Sequence, residues 1–358
     1  MKRALIALSG GVDSAVSAYL LREQGWELTG AILRMTDPAD SALSPVCSAR
    51  ADEDVASARA LAESLGIPFL EITAADCFRR HVMLPFAETY LAGQTPNPCV
   101  FCNRHVKLGF LLDVALERGC AHVATGHYAR ILREGDRYLL AKAKDPRKDQ
   151  SYMLYSLTQA QLASLALPLG ELTKDQVRML AAEQGFSAAS RRESQDICFV
   201  PDGDYATVVE RLLGRTSPSG HFVDRAGRVL GTHRGLLHYT EGQRKGLGIA
   251  SDAPLYVCHK RTEDNTVVLG REEDLYASEV LVRDVSWIPY DNPPSDLFAS
   301  VKLRYRHPEQ PAHLTVTGEG QVRIAFDTPQ RAPAPGQSAV FYDGDLVLGG
   351  GLIDSCIS

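Results

Sequence analysis

The sequence predicts an α/β protein, with an open parallel sheet at the amino end, then a small central domain and a C-terminal β-barrel. Three observations lead to this fold class. An apolar run, a glycine-rich turn and a helical pattern follow one another at the start of the chain. Strand and helix patterns then alternate, as in an open parallel sheet. From Ser217 onward, short strands alternate with Gly, Pro and Asp turns, which is typical of small β-domains.

The first stretch predicts a phosphate site. Residues 4–8 form an apolar strand and residues 15–21 a helix, so residues 9–14, Ser-Gly-Gly-Val-Asp-Ser, are the turn between them. Its glycines let backbone N–H groups approach a ligand, and the helix N-terminus adds partial positive charge. The sequence contains neither the Walker pattern G-x-x-x-x-G-K-[ST] nor the dinucleotide pattern G-x-G-x-x-G. The alternative interpretation is a glycine-rich turn without a ligand.

Further strands and helices continue the parallel sheet. The patterns predict, in order, a strand at 28–33, a loop at 37–50 that could cover a nucleotide, a helix at 52–65, a strand at 67–72, a helix at 106–118 and a strand at 122–125. In such sheets, ligands bind beyond the carboxyl ends of the strands. The glycine-rich turn and the turn carrying Gly126 and His127 both fall at that edge. A structural and a functional role for His127 are both open.

Bulk properties restrict the class of protein. The chain has 358 residues and a formal net charge of −6, which disfavours non-specific coating of nucleic acid but allows a local basic face. It shows neither an apolar run long enough for a membrane span nor a secretion leader, so we expect a cytoplasmic protein that does not associate with membranes. We also expect a monomer. The eight cysteines are then expected to be buried, catalytic or metal-bound rather than a disulfide framework.

Composition changes predict three domains, at residues 1–203, 204–275 and 276–358. The predicted barrel strands are 280–285, 298–305, 313–316, 321–326, 338–342 and 346–353. A basic segment at 129–148 is either a solvated hairpin or a contact with an RNA backbone. The barrel is expected to carry a cluster suited to RNA contact on one strand: Lys302, Arg304, Tyr305, Arg306 and His307.

Several motifs in a fixed order carry a family resemblance. They are S-G-G-V-D-S-A-V, L-G-I-P, T-P-N-P-x-x-x-C-N, A-T-G-H-Y-A, K-D-Q-S-Y, the Ile-Cys-Phe segment, G-Q-R-K-G-L-G and P-G-Q-S-A-V-F-Y. The first resembles the PP-loop of the ATP pyrophosphatases, which have a Rossmann-like sheet. Together they resemble the tRNA-specific 2-thiouridylases, essentially end to end. The resemblance implies an enzyme that uses ATP and Mg²⁺ to adenylate the C2 oxygen of the wobble uridine in tRNA, which sulfur then replaces.

The resemblance also implies roles for individual residues. The positions matching the ATP site are Ala7, Leu8, Ser9, Gly10, Gly11, Val12, Asp13, Ser14, Leu33 and Gly126. The positions matching RNA contacts are Asn97, Pro98, Cys99, His127, Lys148, Asp149, Gln150, Arg304, Tyr305 and Gln337. Cys102 matches the nucleophile, and Cys198 matches the cysteine that carries a persulfide. The sulfur itself would come from a persulfide-carrying protein or from sulfide.

Cys99 departs from the family pattern, which has Asp at this position. A general-base role for that Asp therefore cannot be transferred. The substitution leaves three cysteines, Cys99, Cys102 and Cys198, that could hold a [4Fe-4S] cluster with one open iron. Delivery of sulfur at such a cluster and delivery by a Cys198 persulfide are both open. Two other functions share part of the pattern: another adenylating ligase or amidotransferase, and a non-enzymatic RNA-binding iron–sulfur protein.

Overall fold

The computed structural model describes residues 1–37, 43, 45–186 and 197–357. It divides into two compact units. The first contains Met1–Val82, Cys99–Gly203 and Asp345–Leu348, and the second contains Met83–Pro98, Asp204–Gly344 and Gly349–Ser358. Within the described residues, no helix combines the length and apolar character that crossing a bilayer requires.

The α-helices of the described residues have the following bounds: α1 (Val12–Glu23), α2 (Pro45–Leu65), α3 (Ala75–Phe78), α4 (Leu84–Leu91), α5 (Pro98–Phe101), α6 (Leu111–Glu117), α7 (Gln159–Ala163), α8 (Lys174–Glu183) and α9 (Tyr205–Leu213). Two further segments, Arg79–Met83 and Cys102–Phe110, are π-helical. Short 3₁₀ turns lie at Ser151–Met153, Leu236–His238 and Glu272–Leu275.

A parallel sheet forms the centre of the first unit. The strands of this unit are β1 (Arg3–Ala7), β2 (Glu27–Arg34), β3 (Phe69–Thr73), β4 (His122–Ala124), β5 (Ala129–Glu134), β6 (Arg137–Lys142) and β7 (Leu165–Ala166). The sheet has the order β3-β2-β1-β4-β7, and every pairing in it is parallel. Buried side chains of β1, including Leu5 and Ile6, are fully shielded from solvent. The predicted parallel sheet is confirmed, and its central strand is the one that leads into the glycine-rich loop.

The second unit contains a small sheet and a closed antiparallel barrel. The sheet consists of β8 (Gly220–Val223), β9 (Val229–His233), β10 (Tyr256–Arg261) and β11 (Thr266–Gly270). The barrel consists of β12 (Tyr276–Trp287), β13 (Asp296–Lys302), β14 (Gln310–Gly318), β15 (Gln321–Arg331), β16 (Ser338–Asp343) and β17 (Leu346–Ile357). Pairing of β12 with both β15 and β17 closes the barrel. The predicted fold class is therefore confirmed.

Three local expectations are wrong. The predicted loop at 37–50 contains the start of α2 at Pro45, because proline fits the first turn of a helix, where its missing N–H has no partner to lose. Residues 38–42 and 44 of that loop lie outside the described residues. The helix expected at 106–118 begins at Cys102 and is π-helical as far as Phe110.

The third correction concerns the barrel strand expected at 298–305. The strand ends at Lys302, and the following residues form a turn in which the His307 N–H donates to the Arg304 carbonyl at 3.0 Å. Pro308 has no N–H to continue the strand pairing. Arg304, Tyr305, Arg306 and His307 therefore lie on a turn rather than on a strand.

Candidate active site

The glycine-rich loop is organised by its two serines. The Ser9 N–H donates to Ser14 Oγ at 3.2 Å, and the Ser14 hydroxyl donates to the Gly11 carbonyl at 2.9 Å. Gly10 has φ +69°, a left-handed conformation that a side chain disfavours. Among the described side chains, none caps the N-terminus of α1. The N–H groups of its first turn can therefore bind an anion, as expected for a phosphate site.

Gly126 packs directly against this loop. A Cβ added at Gly126 would lie 2.9 Å from the Asp13 carbonyl carbon and 3.0 Å from the Ser14 nitrogen. Real Cβ atoms do not approach backbone so closely, so only glycine fits here without a shift of the loop. The structure thus places Gly126, expected at the adenosine site, beside the phosphate loop. Leu33, the other residue expected there, is half-buried near the end of β2.

A buried lysine holds the loop from the other side. Lys174 Nζ lies 2.7 and 2.8 Å from the two carboxylate oxygens of Asp13, and the Tyr128 hydroxyl donates to the first of them at 2.7 Å. Lys174 is 3% exposed and is the first residue of α8. Asp13 belongs to the predicted ATP-binding residues, but its carboxylate is occupied by these two partners. Its side chain therefore joins α1 to α8.

His127 is half-buried and neutral. Its Nδ1 lies 2.8 Å from Thr125 Oγ1. Burial, assisted by the nearby positive charge of Lys107, lowers the pKa of His127 to about 3. The imidazole therefore acts as a hydrogen-bonding group, not as a cation, near neutral pH.

The three predicted cysteines of the chemistry lie on two segments of the first unit. Cys99 is exposed on α5, Cys102 is buried at the start of the π-helix, and Cys198 is exposed on a turn. The Val200 N–H closes this turn on the Ile197 carbonyl at 2.9 Å, and the Phe199 ring packs edge-on against Phe78. The anchored turn therefore fixes the position of Cys198, which is exposed as a residue although the protein around its thiol desolvates that group and raises its pKa.

The positive charge of Lys107 interacts with all three thiols. The sequence pattern did not indicate this residue. Burial raises the pKa of Cys102 to about 12 and of Cys198 to about 11, and in both cases Lys107 opposes the rise. Burial also raises the pKa of Cys99, and the positive charge of Lys107 again opposes the rise. Burial by itself would lower the pKa of Lys107, but the charges of the three cysteines outweigh it and raise this pKa. One ammonium thus stabilises the thiolate form of all three cysteines.

The His, Cys, Asp and Glu side chains of the described residues do not form a site for a single metal ion. Across residues 1–37, 43, 45–186 and 197–357, no three His, Cys, Asp or Glu side chains come together as ligands of a metal ion. Cys99, Cys102 and Cys198 all belong to this part of the chain. The described residues therefore offer no site for a single metal ion, and the [4Fe-4S] cluster on the three cysteines stays a hypothesis.

The segment 148–150, expected to contact RNA, is fixed largely by its own hydrogen bonds. The buried Asp149 carboxylate accepts from the Ala143 N–H at 2.9 Å and from the Ser151 hydroxyl at 2.8 Å. Gln150 exchanges hydrogen bonds with the Tyr128 backbone in both directions. Asp149 and Gln150 therefore shape the turn. Lys148 is half-buried beside them.

In the second unit, Gln337 supports the segment that leads to the cysteines. Its side-chain amide donates to the Thr95 and Pro96 carbonyls at 3.3 and 3.1 Å. These residues directly precede the buried Asn97 and then Pro98. Arg304 donates to the Arg331 carbonyl at 3.1 Å, and Tyr305 follows it on the same turn. Gln337 thus positions a backbone, a role that the sequence pattern did not indicate.

Comparison with known proteins decides the family. The model of the tRNA methyl transferase HUP domain matches residues 2–202, that of the tRNA methyl transferase PRC-barrel domain residues 207–271, and that of the aminomethyltransferase beta-barrel domain residues 277–353. A tRNA-specific 2-thiouridylase MnmA of Acetivibrio thermocellus is 45% identical, over 98% of this chain and 99% of the relative. The chain belongs to the tRNA-specific 2-thiouridylases.

Other members match equally far along the chain. The 2-thiouridylase MnmA 1 of Caldanaerobacter subterraneus subsp. tengcongensis is 45% identical, over 98% of both chains. The 2-thiouridylase MnmA of Carboxydothermus hydrogenoformans is 44% identical, over 99% of this chain and 98% of the relative. The resemblance derived from the motifs is confirmed. As a 2-thiouridylase the chain is an enzyme that uses its PP-loop with ATP.

Proposed function

We propose that this 2-thiouridylase replaces the C2 oxygen of the wobble uridine of tRNA with sulfur in an ATP-dependent reaction. The observation that carries the proposal is the combination of two parts in the first unit. One is an uncapped helix N-terminus behind a glycine-rich loop, which suits phosphate. The other is a group of three cysteines around Lys107, which suits sulfur chemistry. An adenylating ligase needs only the first part, and an RNA-binding protein needs neither.

Activation comes first, because a carbonyl oxygen is a poor leaving group. The uridine O2 attacks the α-phosphorus of ATP, an O–P bond forms, and pyrophosphate leaves. The N–H groups of residues 9–14 are suited to holding the pyrophosphate as its charge develops. Mg²⁺ bound with the ATP would neutralise part of that charge. The adenylated oxygen can then depart as AMP.

Sulfur delivery is proposed to use a persulfide on the exposed Cys198. The terminal sulfur attacks C2, and AMP leaves with the electrons of the C–O bond. The Cys102 thiolate then attacks Cys198 Sγ, and the electrons of the sulfur–sulfur bond pass to the transferred sulfur. A Cys102–Cys198 disulfide remains, which an external thiol must reduce. The donor that loads Cys198 is a persulfide-carrying protein: the Cys198 thiolate attacks the donor's outer sulfur, and the donor's own thiol leaves. The proposed setting is a monomer in the cytoplasm.

Variants of the three cysteines test the route of sulfur. Cys102→Ser and Cys198→Ser should abolish thiolation, while Cys99→Ser should retain it, because Cys99 has no bond to make or break in the persulfide route. Mass spectrometry of donor-treated protein should find one added sulfur atom on the Cys198 peptide. Loss of thiolation in Cys99→Ser, together with iron and sulfide in anaerobically purified protein, would replace this route with a cluster.

A further inference from the structure

A column of three stacked rings lies on α5 and the two π-helical segments of the first unit. The imidazoles of His81 and His105 have centroids 4.9 Å apart and planes 14° apart. The Phe101 ring also lies nearly parallel to that of His105, with centroids 6.4 Å apart and planes 12° apart. All three side chains are half-buried. Near-parallel rings at these separations form an offset stack, and such a stack presents a π-surface to further planar groups.

The surroundings of the column are basic. Arg80 is exposed next to His81, and Arg104 is half-buried next to His105. Among the described residues, neither arginine takes part in an ion pair. Burial, His81 and Arg104 together lower the pKa of His105, which favours the neutral ring. The acidic side chains on the neighbouring helices are Asp76 and Asp113.

The column shares its helical segments with two of the cysteines. Phe101 lies between Cys99 and Cys102 in the chain, and His105 follows on the same π-helix as Cys102. The Cys77 thiol donates to the His105 carbonyl at 3.7 Å and so joins α3, which leads into the first π-helical segment, to the second. A nucleotide whose neighbour has its base at the cysteines would therefore have a stacking surface and two cations close to it.

We propose a stacking site for a single-stranded nucleotide adjacent to the target uridine. The site consists of the rings of Phe101, His105 and His81, and it is flanked by Arg80 and Arg104. This inference rests on the proposed function, because it takes tRNA as the substrate. Bases in RNA loops unstack readily and are bound by aromatic side chains, while arginines bind the phosphates between them. The occupant is the loop strand of the RNA, not its duplex stem.

The test uses the full-length protein and an RNA stem-loop of the anticodon arm, with 2-aminopurine at either neighbour of the target uridine. With the wild type, the fluorescence of 2-aminopurine at one of these two positions should be quenched, because that base stacks on the rings. His105→Leu replaces the planar ring with a non-planar side chain of comparable size. It should relieve the quenching and weaken binding by about five-fold or more, since stacking is worth at least about 1 kcal/mol per base. Thermal melts establish that this variant is folded.

The arginines have their own readout, the dependence of affinity on salt. Arg80→Gln with Arg104→Gln should reduce the slope of log affinity against log salt by roughly 0.7 for each phosphate that the protein no longer neutralises. A control pair has the same change in charge, Arg118→Gln with Arg178→Gln. Arg118 directly follows α6 and Arg178 lies on α8, and this pair should leave the slope unchanged. Equal slopes in both pairs, or quenching that persists in His105→Leu, would overturn the proposal.

Failure of this inference and failure of the proposed function can be told apart. If the wild type thiolates RNA and the variants bind RNA as the wild type does, the stacking site is ruled out and the proposed function stands. If the wild type binds RNA and quenches the fluorescence but forms no 2-thiouridine, the proposed function is ruled out instead.

Discussion

At the residue scale, the least predictable feature is Lys107. It follows Cys102 by five positions, a spacing that an α-helix of 3.6 residues per turn places on different faces. The segment is a π-helix, in which the N–H of residue i+5 bonds to the carbonyl of residue i, so Lys107 lies one turn after Cys102. Because π-helices have no sequence signature comparable to hydrophobic periodicity, the cation could not be placed among the cysteines from the sequence.

Removal of this cation should slow sulfur transfer. In Lys107→Met we expect the rate of 2-thiouridine formation to fall by about a hundredfold, the effect of losing one electrostatic stabilising group. Lys2→Met removes a charge from an exposed position of the same unit, outside every predicted site, and should leave the rate unchanged. The measurement is single-turnover thiolation with protein loaded with sulfur beforehand. Equal rates in the two variants would show that Lys107 does not assist the thiols.

His127 should make the stability of the protein depend on pH. Its pKa is about 3 in the folded state and near 6.5 in an unfolded chain, so the unfolded state binds more protons between these values. Stability is then complete above pH 6.5 and falls as the pH decreases, by up to about 1.4 kcal/mol per pH unit.

Urea unfolding at pH 7.5 and pH 5.5 measures this effect. The loss of stability on acidification should be smaller in His127→Asn than in the wild type, because Asn does not titrate and can still bond to Thr125. The comparison isolates His127 from the other histidines, which titrate in both proteins. An identical loss in the two proteins would contradict a buried, neutral His127.

At the element scale, the strands were predictable where burial alternates clearly or an apolar run is short. The parallel strands and the six barrel strands satisfy this condition. Three features do not satisfy it. The start of α2 depends on a proline at the first helical position, and the π-helical segments depend on helix register. The turn after Lys302 depends on a proline after the strand. Sequence patterns describe periodicity better than they describe where an element ends.

The junction between α1 and α8 is an element-scale contact with a functional consequence. Lys174→Met would leave the Asp13 carboxylate with only the Tyr128 hydroxyl. Breaking a buried ion pair costs about 3–5 kcal/mol, and since the Asp13 side chain is 30% exposed we expect about 2 kcal/mol. The loop preceding α1 should also lose order, which would raise KM for ATP more than it lowers kcat.

Denaturant unfolding and the kinetics of pyrophosphate release measure these two effects. Lys174→Arg keeps the charge and should recover part of both. A variant that loses stability without any change in KM would restrict Lys174 to a structural role and separate it from the ATP site.

At the scale of the whole molecule, the first unit combines segments that are far apart in sequence. Asp13 and Lys174 are 161 positions apart, and Cys47, buried in α2, lies 3.8 Å from the Phe199 carbonyl next to Cys198. In the second unit, Gln337 reaches Thr95 across 242 positions. Motifs identify the residues of such sites, but only the folded chain shows which of them lie together. The predicted division at residues 203 and 276 stays a prediction.

ATP activation and sulfur transfer are proposed to occur on one chain, with tRNA as the substrate. The most direct measurement incubates the protein with ATP, a sulfide or persulfide donor, and a tRNA transcript with uridine at the wobble position. We predict 2-thiouridine at that position, with AMP and pyrophosphate formed in equal amounts. AMP and pyrophosphate without 2-thiouridine, or RNA binding without either, would contradict the account.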